Sequence, residues 1–139
     1  ANLDHVASDR IGQEQWNKYP FLTALAAATS LLRADIGTIV APDDGQAIVH
    51  GLYDEGLAVA EAAGEPIPEA AQDTARGTLT QSGSALKASM LRDLEAGQQV
   101  EAEQIVGDML ARARKADQEA LLLQVAYSSL QAYQALRGA

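Results

Sequence analysis

Apolar side chains recur at helical spacing along most of the chain. In residues 8–33 they repeat every three or four positions, which predicts a long helix with one buried stripe. The stripe consists of Ile11, Trp16, Phe21, Leu22, Leu25, Leu31 and Leu32. Ser8 is a candidate N-cap, and Gly37 is predicted to end the segment. Pro20 lacks a backbone N–H, so we expect either a kink or a break into two helices there.

Five further helices are predicted, separated by glycine, proline and serine. They cover residues 42–63, 68–79, 89–95, 100–113 and 118–136. Pro42 suits a first helical turn, Gly64 and Gly97 suit helix ends, and residues 80–88 resemble a loop. The predicted inward positions are Ile48, Leu52, Leu57, Val59 and Ala60 in the second segment, and Leu121, Leu122, Val125, Tyr127, Leu130 and Leu136 in the last.

Composition supports an all-α fold in a single domain. The chain has 139 residues, a length typical of one domain with one core. Hydrophobic residues make up 47% of it but aromatic residues only 4%, with alanine and leucine prominent, which favours packed helices over a β-sandwich. We therefore predict six or seven helices in one bundle-like domain over residues 1–139.

Charge and residue usage argue against several classes of function. The net charge of −9 should repel nucleic acid, and the absence of cysteine excludes disulfides and thiolate chemistry. The stretch "FLTALAAATSLL" is too short to span a bilayer, so we expect a soluble, cytoplasmic protein without membrane contact. His5 and His50 lack the neighbours of a metal site, and no metal is expected. The sequence also lacks a G-x-G-x-x-G phosphate loop.

Four polar residues are candidates for chemistry. Lys18 lies in the apolar stretch "WNKYPFL" and either extends its ammonium into water or faces a cleft, where it could protonate or polarise a carbonyl group. Ser89 is either an N-cap or a ligand-binding hydroxyl, and Glu101 either complements a helix dipole or faces the same ligand across the turn at Gly97. Arg33 is either a cation at a helix end or an anchor for a substrate carboxylate.

Several segments together resemble the C-terminal domain of ketopantoate reductases (2-dehydropantoate 2-reductases). The most specific are the Trp16-x-Lys18 signature and the Ser-Met-x-x-Asp stretch at 89–93, followed at fixed spacing by Glu101 and the Ile-x-Gly of 105–107. The remaining segments are "FLTALAAATSLLRADIGTI", "EGLAVAEAAGEPIP" and "LLQVAYSSLQAYQ". The resemblance extends over nearly the whole chain.

The resemblance implies both a fold and a set of roles. The fold would be a helical domain similar to that of 6-phosphogluconate dehydrogenase, preceded in the intact protein by a Rossmann domain that binds NADPH. Lys18 would be the catalytic general acid, Ser89 a substrate-binding residue, and Glu101 a residue near the cofactor. The substrate would be a small 2-oxo acid or ketone, bound between the two domains. The 139 residues alone are then expected to be inactive, and a homodimer is conceivable.

Three positions depart from the family pattern. Where ketopantoate reductases typically have substrate-binding asparagines, this chain has Leu22, Ala26 and Ile36. Lost amides remove hydrogen bonds worth about 1 kcal/mol each, which favours a less polar substrate than ketopantoate. An alternative hypothesis is a helical dimerisation or interaction module that has kept the family's shape and lost its chemistry. An upstream strand followed by G-x-G-x-x-G would favour the enzyme.

Overall fold

The computed structural model describes residues 12–87 and 100–138, with side chains described over 12–87 and 103–136. The fold class is confirmed, since these ranges form six helices and contain no strand. The helices are α1 Gln13–Leu32, α2 Ile36–Val40, α3 Gly45–Ala62, α4 Glu69–Leu79, α5 Val100–Lys115 and α6 Leu121–Gly138. The predicted N-cap Ser8, the stripe position Ile11 and the predicted helix at 89–95 lie outside the described residues.

The central element is α1, which packs against α3, α4, α5 and α6. Every residue from 23 to 30 is buried, so this part of α1 is enclosed on all sides and has no single buried stripe. Thr23 and Thr29 are accommodated there because their hydroxyls donate to the carbonyls of Tyr19 and Leu25, at 2.8 and 2.7 Å. The alanines at 24 and 26–28 let neighbouring helices approach closely.

Pro20 does not divide α1, so of the two predicted alternatives, a kink or a break into two helices, the break is wrong. The helix is continuous, and Pro20 is buried in it. The proline ring packs against α3 at Gly56, where an added Cβ would lie 2.9 Å from the Pro20 Cβ. Only a glycine allows this approach because the proline ring cannot move aside. The crossing of α1 and α3 thus depends on a proline and a glycine together.

The end of α1 agrees with the predicted bound at residue 33, but the residue that ends the helix differs from the prediction. Arg33, not Gly37, ends the helix, in the left-handed conformation with φ 54°. Asp35 then begins the unpredicted helix α2, accepting hydrogen bonds from the amide and hydroxyl of Thr38, and these bonds lower the pKa of the Asp35 carboxyl. Gly37 lies inside α2, where its amide donates to the Ser84 carbonyl at 2.8 Å and a Cβ would lie 2.6 Å from the Ser84 nitrogen. Close backbone contact therefore explains this glycine.

The middle of the chain follows the prediction with small shifts. Helix α3 ends before Gly64, which has φ 82°, and α4 begins one residue after Pro68. Residues 81–87 are free of helix, as predicted for the loop. Pro42 is not in the helix: its carbonyl accepts from Gly45 at 3.1 Å, closing a turn before α3 begins.

Five apolar side chains predicted to face inward are exposed instead. In α1 these are Leu22 and Leu32, and in α6 they are Leu121, Val125 and Leu136. The core face of α6 consists of Leu123, Ala126 and Leu130, rotated around the helix from that line. Among the described helices, none combines the length and apolarity needed to cross a membrane.

The start of α6 is held by a side chain from α3. The Glu55 carboxylate accepts from the backbone N–H groups of Leu122 and Leu123, at 3.0 and 2.9 Å. These are first-turn donors that have no carbonyl partner within their own helix. Burial raises the pKa of Glu55, although the two N–H bonds oppose that rise. Glu55 therefore acts as an N-cap supplied from another helix.

We expect Glu55→Ala to lower the free energy of unfolding by about 1–2 kcal/mol, the usual cost of losing a helix cap. Urea denaturation of the 139-residue chain followed by circular dichroism measures this. The control is Glu61→Ala, which removes an exposed glutamate from the last turn of the same helix and should change stability by less than about 0.5 kcal/mol. Equal effects of the two substitutions would contradict the capping role.

Candidate functional site

Lys18 lies on the exposed face of the first half of α1, at a groove between α1 and α4. The groove has a volume of about 340 Å³. Its lining residues are Asn17, Lys18 and Phe21 from α1, and Ala71, Thr74, Ala75 and Thr78 from α4. The side chain of Lys18 is exposed, so its ammonium is accessible to a ligand that enters the groove.

The α4 wall of the groove is less polar than its sequence indicates. The Thr74 hydroxyl donates to the Ala70 carbonyl at 3.1 Å, and the Thr78 hydroxyl donates to the Thr74 carbonyl at 3.0 Å. With both hydroxyls bonded to their own helix, the wall offers mainly methyl groups, together with those of Ala71 and Ala75. The groove thus combines a largely apolar α4 wall with an α1 wall that carries the Lys18 cation and the Asn17 amide.

The opposite face of α1 is anchored in the core. The Tyr19 hydroxyl donates to the Asp108 carboxylate of α5, and that carboxylate also accepts from Arg112 Nε at 2.8 Å. Burial, with help from the neighbouring Asp108 charge, raises the pKa of Tyr19 far above its ordinary value, so the hydroxyl stays protonated as a donor. Trp16 packs beside Tyr19, with ring centroids 5.6 Å apart. These contacts set the rotation of α1 and thereby direct Lys18 outward.

The three departures from the family pattern fall in different environments. Leu22 is 41% exposed, one turn after Lys18, so its side chain borders the solvent-facing side of the site. Ala26 and Ile36 are completely buried among apolar residues. In this structure, only the first of the three positions offers an accessible surface to a ligand.

Arg33 is far from Lys18. Fifteen residues of helix separate them, which at 1.5 Å per residue is about 20 Å along the α1 axis. The guanidinium of Arg33 lies over the Tyr133 ring of α6, 4.1 Å from its centroid, an arrangement typical of a cation–π contact. The structure therefore does not bring Arg33 and Lys18 together, and substrate binding by Arg33 stays a prediction.

The other two predicted site residues are Ser89 and Glu101. Ser89 lies outside the described residues. Glu101 lies in α5, but its side chain is not among those described. Their convergence with Lys18 accordingly stays a prediction. Among the described residues, no group of histidine, aspartate or glutamate side chains could hold a metal ion.

Sequence reasoning missed the α4 wall and the contacts between α1 and α5. Thr74 and Thr78 are more than fifty positions from Lys18, and Asp108 is 89 positions from Tyr19. The available signal was the four-residue spacing of Thr74 and Thr78, which places both hydroxyl residues on one face of a helix.

Comparison with known proteins shows similarity to ketopantoate reductases over most of the chain. The family described as "Ketopantoate reductase PanE/ApbA C terminal" matches residues 10–134. An uncharacterized oxidoreductase of Bacillus subtilis, YkpB, is 32% identical over 130 residues, 94% of this chain and 43% of the relative. A 2-dehydropantoate 2-reductase of Halobacterium salinarum is 32% identical over 102 residues, 73% of this chain and 33% of the relative. The chain thus spans less than half the length of either relative.

Solved structures agree with these relatives. A ketopantoate reductase from Staphylococcus aureus, described as dimeric, superposes with a TM-score of 0.78 at 27% identity, over 91% of this chain and 44% of that one. A 2-dehydropantoate 2-reductase from Methylococcus capsulatus gives 0.78 at 26% identity, with the same coverage. A structure from Ralstonia eutropha, at 19% identity and a TM-score of 0.82 over 95% of this chain and 44% of that one, supports the fold alone.

Proposed function

Because the chain belongs to the ketopantoate reductase family, whose C-terminal domain it matches over residues 10–134, we propose that it is the substrate-binding half of an NADPH-dependent oxidoreductase. The reaction would reduce a 2-oxo acid or ketone to the corresponding hydroxy compound. The observation that carries the proposal is an exposed lysine beside an apolar groove, in a domain of this family.

In this proposal Lys18 is the general acid. When hydride adds to the carbonyl carbon, negative charge develops on the carbonyl oxygen. An ammonium within hydrogen-bond distance stabilises that charge and donates the proton that completes the alcohol. Lys18 suits this role because it is exposed at the groove while Trp16 and Tyr19, on the opposite face of α1, anchor the helix in the core.

The proposed cofactor is NADPH, which would supply the hydride. The chain has no glycine-rich phosphate loop of its own, so the proposal assigns phosphate binding to a Rossmann domain in the same protein. Glu101 is proposed to lie near the cofactor and Ser89 to bind the substrate, both on the strength of the family resemblance. On this proposal, the 139 residues alone do not turn over substrate.

The substrate is proposed to carry an apolar substituent larger than a methyl group. Lys18 offers a positive charge to the carbonyl oxygen or carboxylate, while Phe21, Ala71, Ala75 and the threonine methyl groups offer an apolar surface. The exposed Leu22 adds apolar surface one turn away. An alkyl chain in this groove would be removed from water, which contributes about 0.8 kcal/mol per buried methylene.

The test is a series of straight-chain 2-oxo acids of increasing length, assayed by NADPH oxidation with the full-length protein. We expect kcat/KM to rise about fourfold per methylene until the groove is filled, the factor equivalent to 0.8 kcal/mol. Thr78→Asp, which introduces a charge into the wall, should reduce kcat/KM strongly for the long substrates and little for the shortest. A flat length dependence would contradict the apolar groove and leave the proposed reaction standing, whereas no NADPH oxidation with any member would contradict the reaction.

The alternative, a helical interaction module without chemistry, is favoured by one observation: the apolar side chains that α6 exposes. The coding sequence upstream of Ala1 separates the two functions. A strand followed by G-x-G-x-x-G supports the enzyme, and its absence supports the module. A subunit contact through α6 is compatible with both.

A further inference from the structure

Besides Lys18, the α1 wall of the groove carries the polar side chain of Asn17. Asn17 is half-buried and directly precedes Lys18 in the helix. Its amide oxygen accepts a hydrogen bond from Gln13 Nε2 at 2.9 Å. No described residue accepts a hydrogen bond from its amide nitrogen, Nδ2. This nitrogen therefore has two N–H donors available for a ligand in the groove.

The orientation of the Asn17 amide is fixed by two successive hydrogen bonds. The Pro66 carbonyl can only accept, and it lies 3.4 Å from the Gln13 side chain, so the NH2 group of Gln13 is the end that faces it. The same NH2 group donates to Asn17, which must therefore turn its oxygen toward Gln13. Nδ2, on the other side of the amide carbon, is turned away from Gln13. Asn17 thus presents a donor on its unpaired side.

The surroundings of Asn17 favour an anionic ligand. Although the chain has a net charge of −9, Lys18 alone is charged among the described residues that line the groove. The α4 wall offers no free donor, because the hydroxyls of Thr74 and Thr78 donate to their own helix. A hydrogen bond from an amide N–H to a carboxylate is charge-assisted and stronger than one to a neutral acceptor. An anion in the groove therefore has Lys18 and Asn17 as its donors.

We propose that Asn17 Nδ2 binds the carboxylate of a 2-oxo acid, which leaves the Lys18 ammonium to the carbonyl oxygen. The inference rests on the proposed function for the reacting carbonyl, and it narrows the substrate class from ketones in general to 2-oxo acids. The two groups of a 2-oxo acid are on adjacent carbons, and their two donors are on adjacent residues, whose Cα atoms lie about 3.8 Å apart. Gln13 is a positioning residue, since it acts by holding the Asn17 amide.

Isothermal titration calorimetry of the full-length protein with 2-oxopentanoate and with its primary amide tests the assignment, in the presence of NADP⁺, which cannot supply hydride. Both ligands carry the same ketone and the same chain. Asn17→Asp is nearly isosteric and exchanges the donor for a negative charge. We expect it to raise the Kd of 2-oxopentanoate about 10- to 150-fold, the factor equivalent to 1.5–3 kcal/mol for a hydrogen bond to a charged group. The Kd of the amide should change little, since its NH2 group can donate to the introduced carboxylate.

The matched control is Gln46→Glu, which adds the same charge at an exposed position of α3 outside the groove and should leave both Kd values within about twofold of wild type. Equal losses for the acid and the amide in Asn17→Asp would indicate a disturbed Lys18 and overturn the inference, as would a wild type that does not bind 2-oxopentanoate. The expected Kd changes without any NADPH oxidation would contradict the proposed reaction and leave the carboxylate site standing.

Steady-state kinetics of the full-length protein test the role of Gln13. Gln13→Ala releases the Asn17 amide and should raise KM for 2-oxopentanoate about two- to fivefold at unchanged kcat, the factor equivalent to 0.5–1 kcal/mol for one neutral hydrogen bond. Asn17→Ala should raise KM further. Adding Gln13→Ala to Asn17→Ala should then have no effect, because the positioning acts only through the amide that is already absent. A further rise in KM in the double variant would contradict the positioning role.

Discussion

We expect Lys18→Ala in the full-length protein to lower kcat by about 10²–10⁴, the range typical for loss of a positioned general acid. NADPH oxidation with the preferred 2-oxo acid measures the change. Stability should be nearly unaffected, because the side chain is exposed and its helix is held from the opposite face by Trp16 and Tyr19. An unchanged kcat would eliminate Lys18 as the acid.

Two further substitutions separate the roles of the ammonium. Lys18→Arg keeps the positive charge but hardly releases a proton at neutral pH, since the pKa of arginine exceeds about 12. If proton donation matters, this variant resembles Lys18→Ala; if charge alone matters, it keeps most of the activity. Lys115→Ala, which removes an exposed lysine from the end of α5, serves as the control and should leave kcat within about twofold of wild type.

Asp108→Ala is expected to be the most destabilising of the substitutions considered, lowering the free energy of unfolding by about 2–3 kcal/mol. It leaves the buried Tyr19 hydroxyl without its acceptor and removes the ionic partner of Arg112 Nε. The Ile105 carbonyl, 3.4 Å from the Tyr19 hydroxyl, can compensate only partly. Urea denaturation of the 139-residue chain measures the loss.

Tyr19→Phe provides the second arm of a double-mutant cycle. It removes the donor but leaves Asp108 paired with Arg112, so we expect a smaller loss of about 1 kcal/mol. In the double variant, Asp108→Ala should cost less than in the wild type, since no hydroxyl is left unsatisfied. Strict additivity would show that the Tyr19–Asp108 hydrogen bond contributes nothing to stability.

The helices themselves were predictable because the signals that define them are local. The spacing of apolar residues predicted α1, α3, α4, α5 and α6, and the end of α3 followed from Gly64, which adopts a positive φ. Helix α2 was missed since its five residues are too few to show a period, although Asp35 followed by Thr38 is a capping signal.

Burial was predicted less well, for a physical reason. Apolar character indicates that a side chain favours removal from water but does not identify the surface that covers it. Leu121 and Val125 were assigned to the core by their spacing but are exposed. The inner face of α6 consists of Leu130, which was predicted to face inward, and of Leu123 and Ala126, which were not. Conversely, the buried polar residues Thr23 and Thr29 needed no tertiary partner, because each bonds a carbonyl of its own helix.

For the candidate site, the sequence supplied Lys18 but not its surroundings. The lysine was singled out as a polar residue within an apolar stretch, and the resemblance then implied its role as a general acid. The groove beside it depends on how α4 packs against α1, and whether Thr74 presents a hydroxyl or a methyl group depends on a side-chain hydrogen bond. Neither property is encoded in local spacing.

The two faces of α1 have different roles, and this difference affects how readily the domain could be changed to accept new substrates. Trp16 and Tyr19 hold the helix to the core, whereas Lys18 and Phe21 face a groove whose other wall is α4. Exchanges at exposed wall positions such as Thr74 leave those core contacts intact and should be tolerated. A mutant library restricted to the groove would therefore retain mostly folded members, which makes this domain a suitable starting point for the directed evolution of substrate preference.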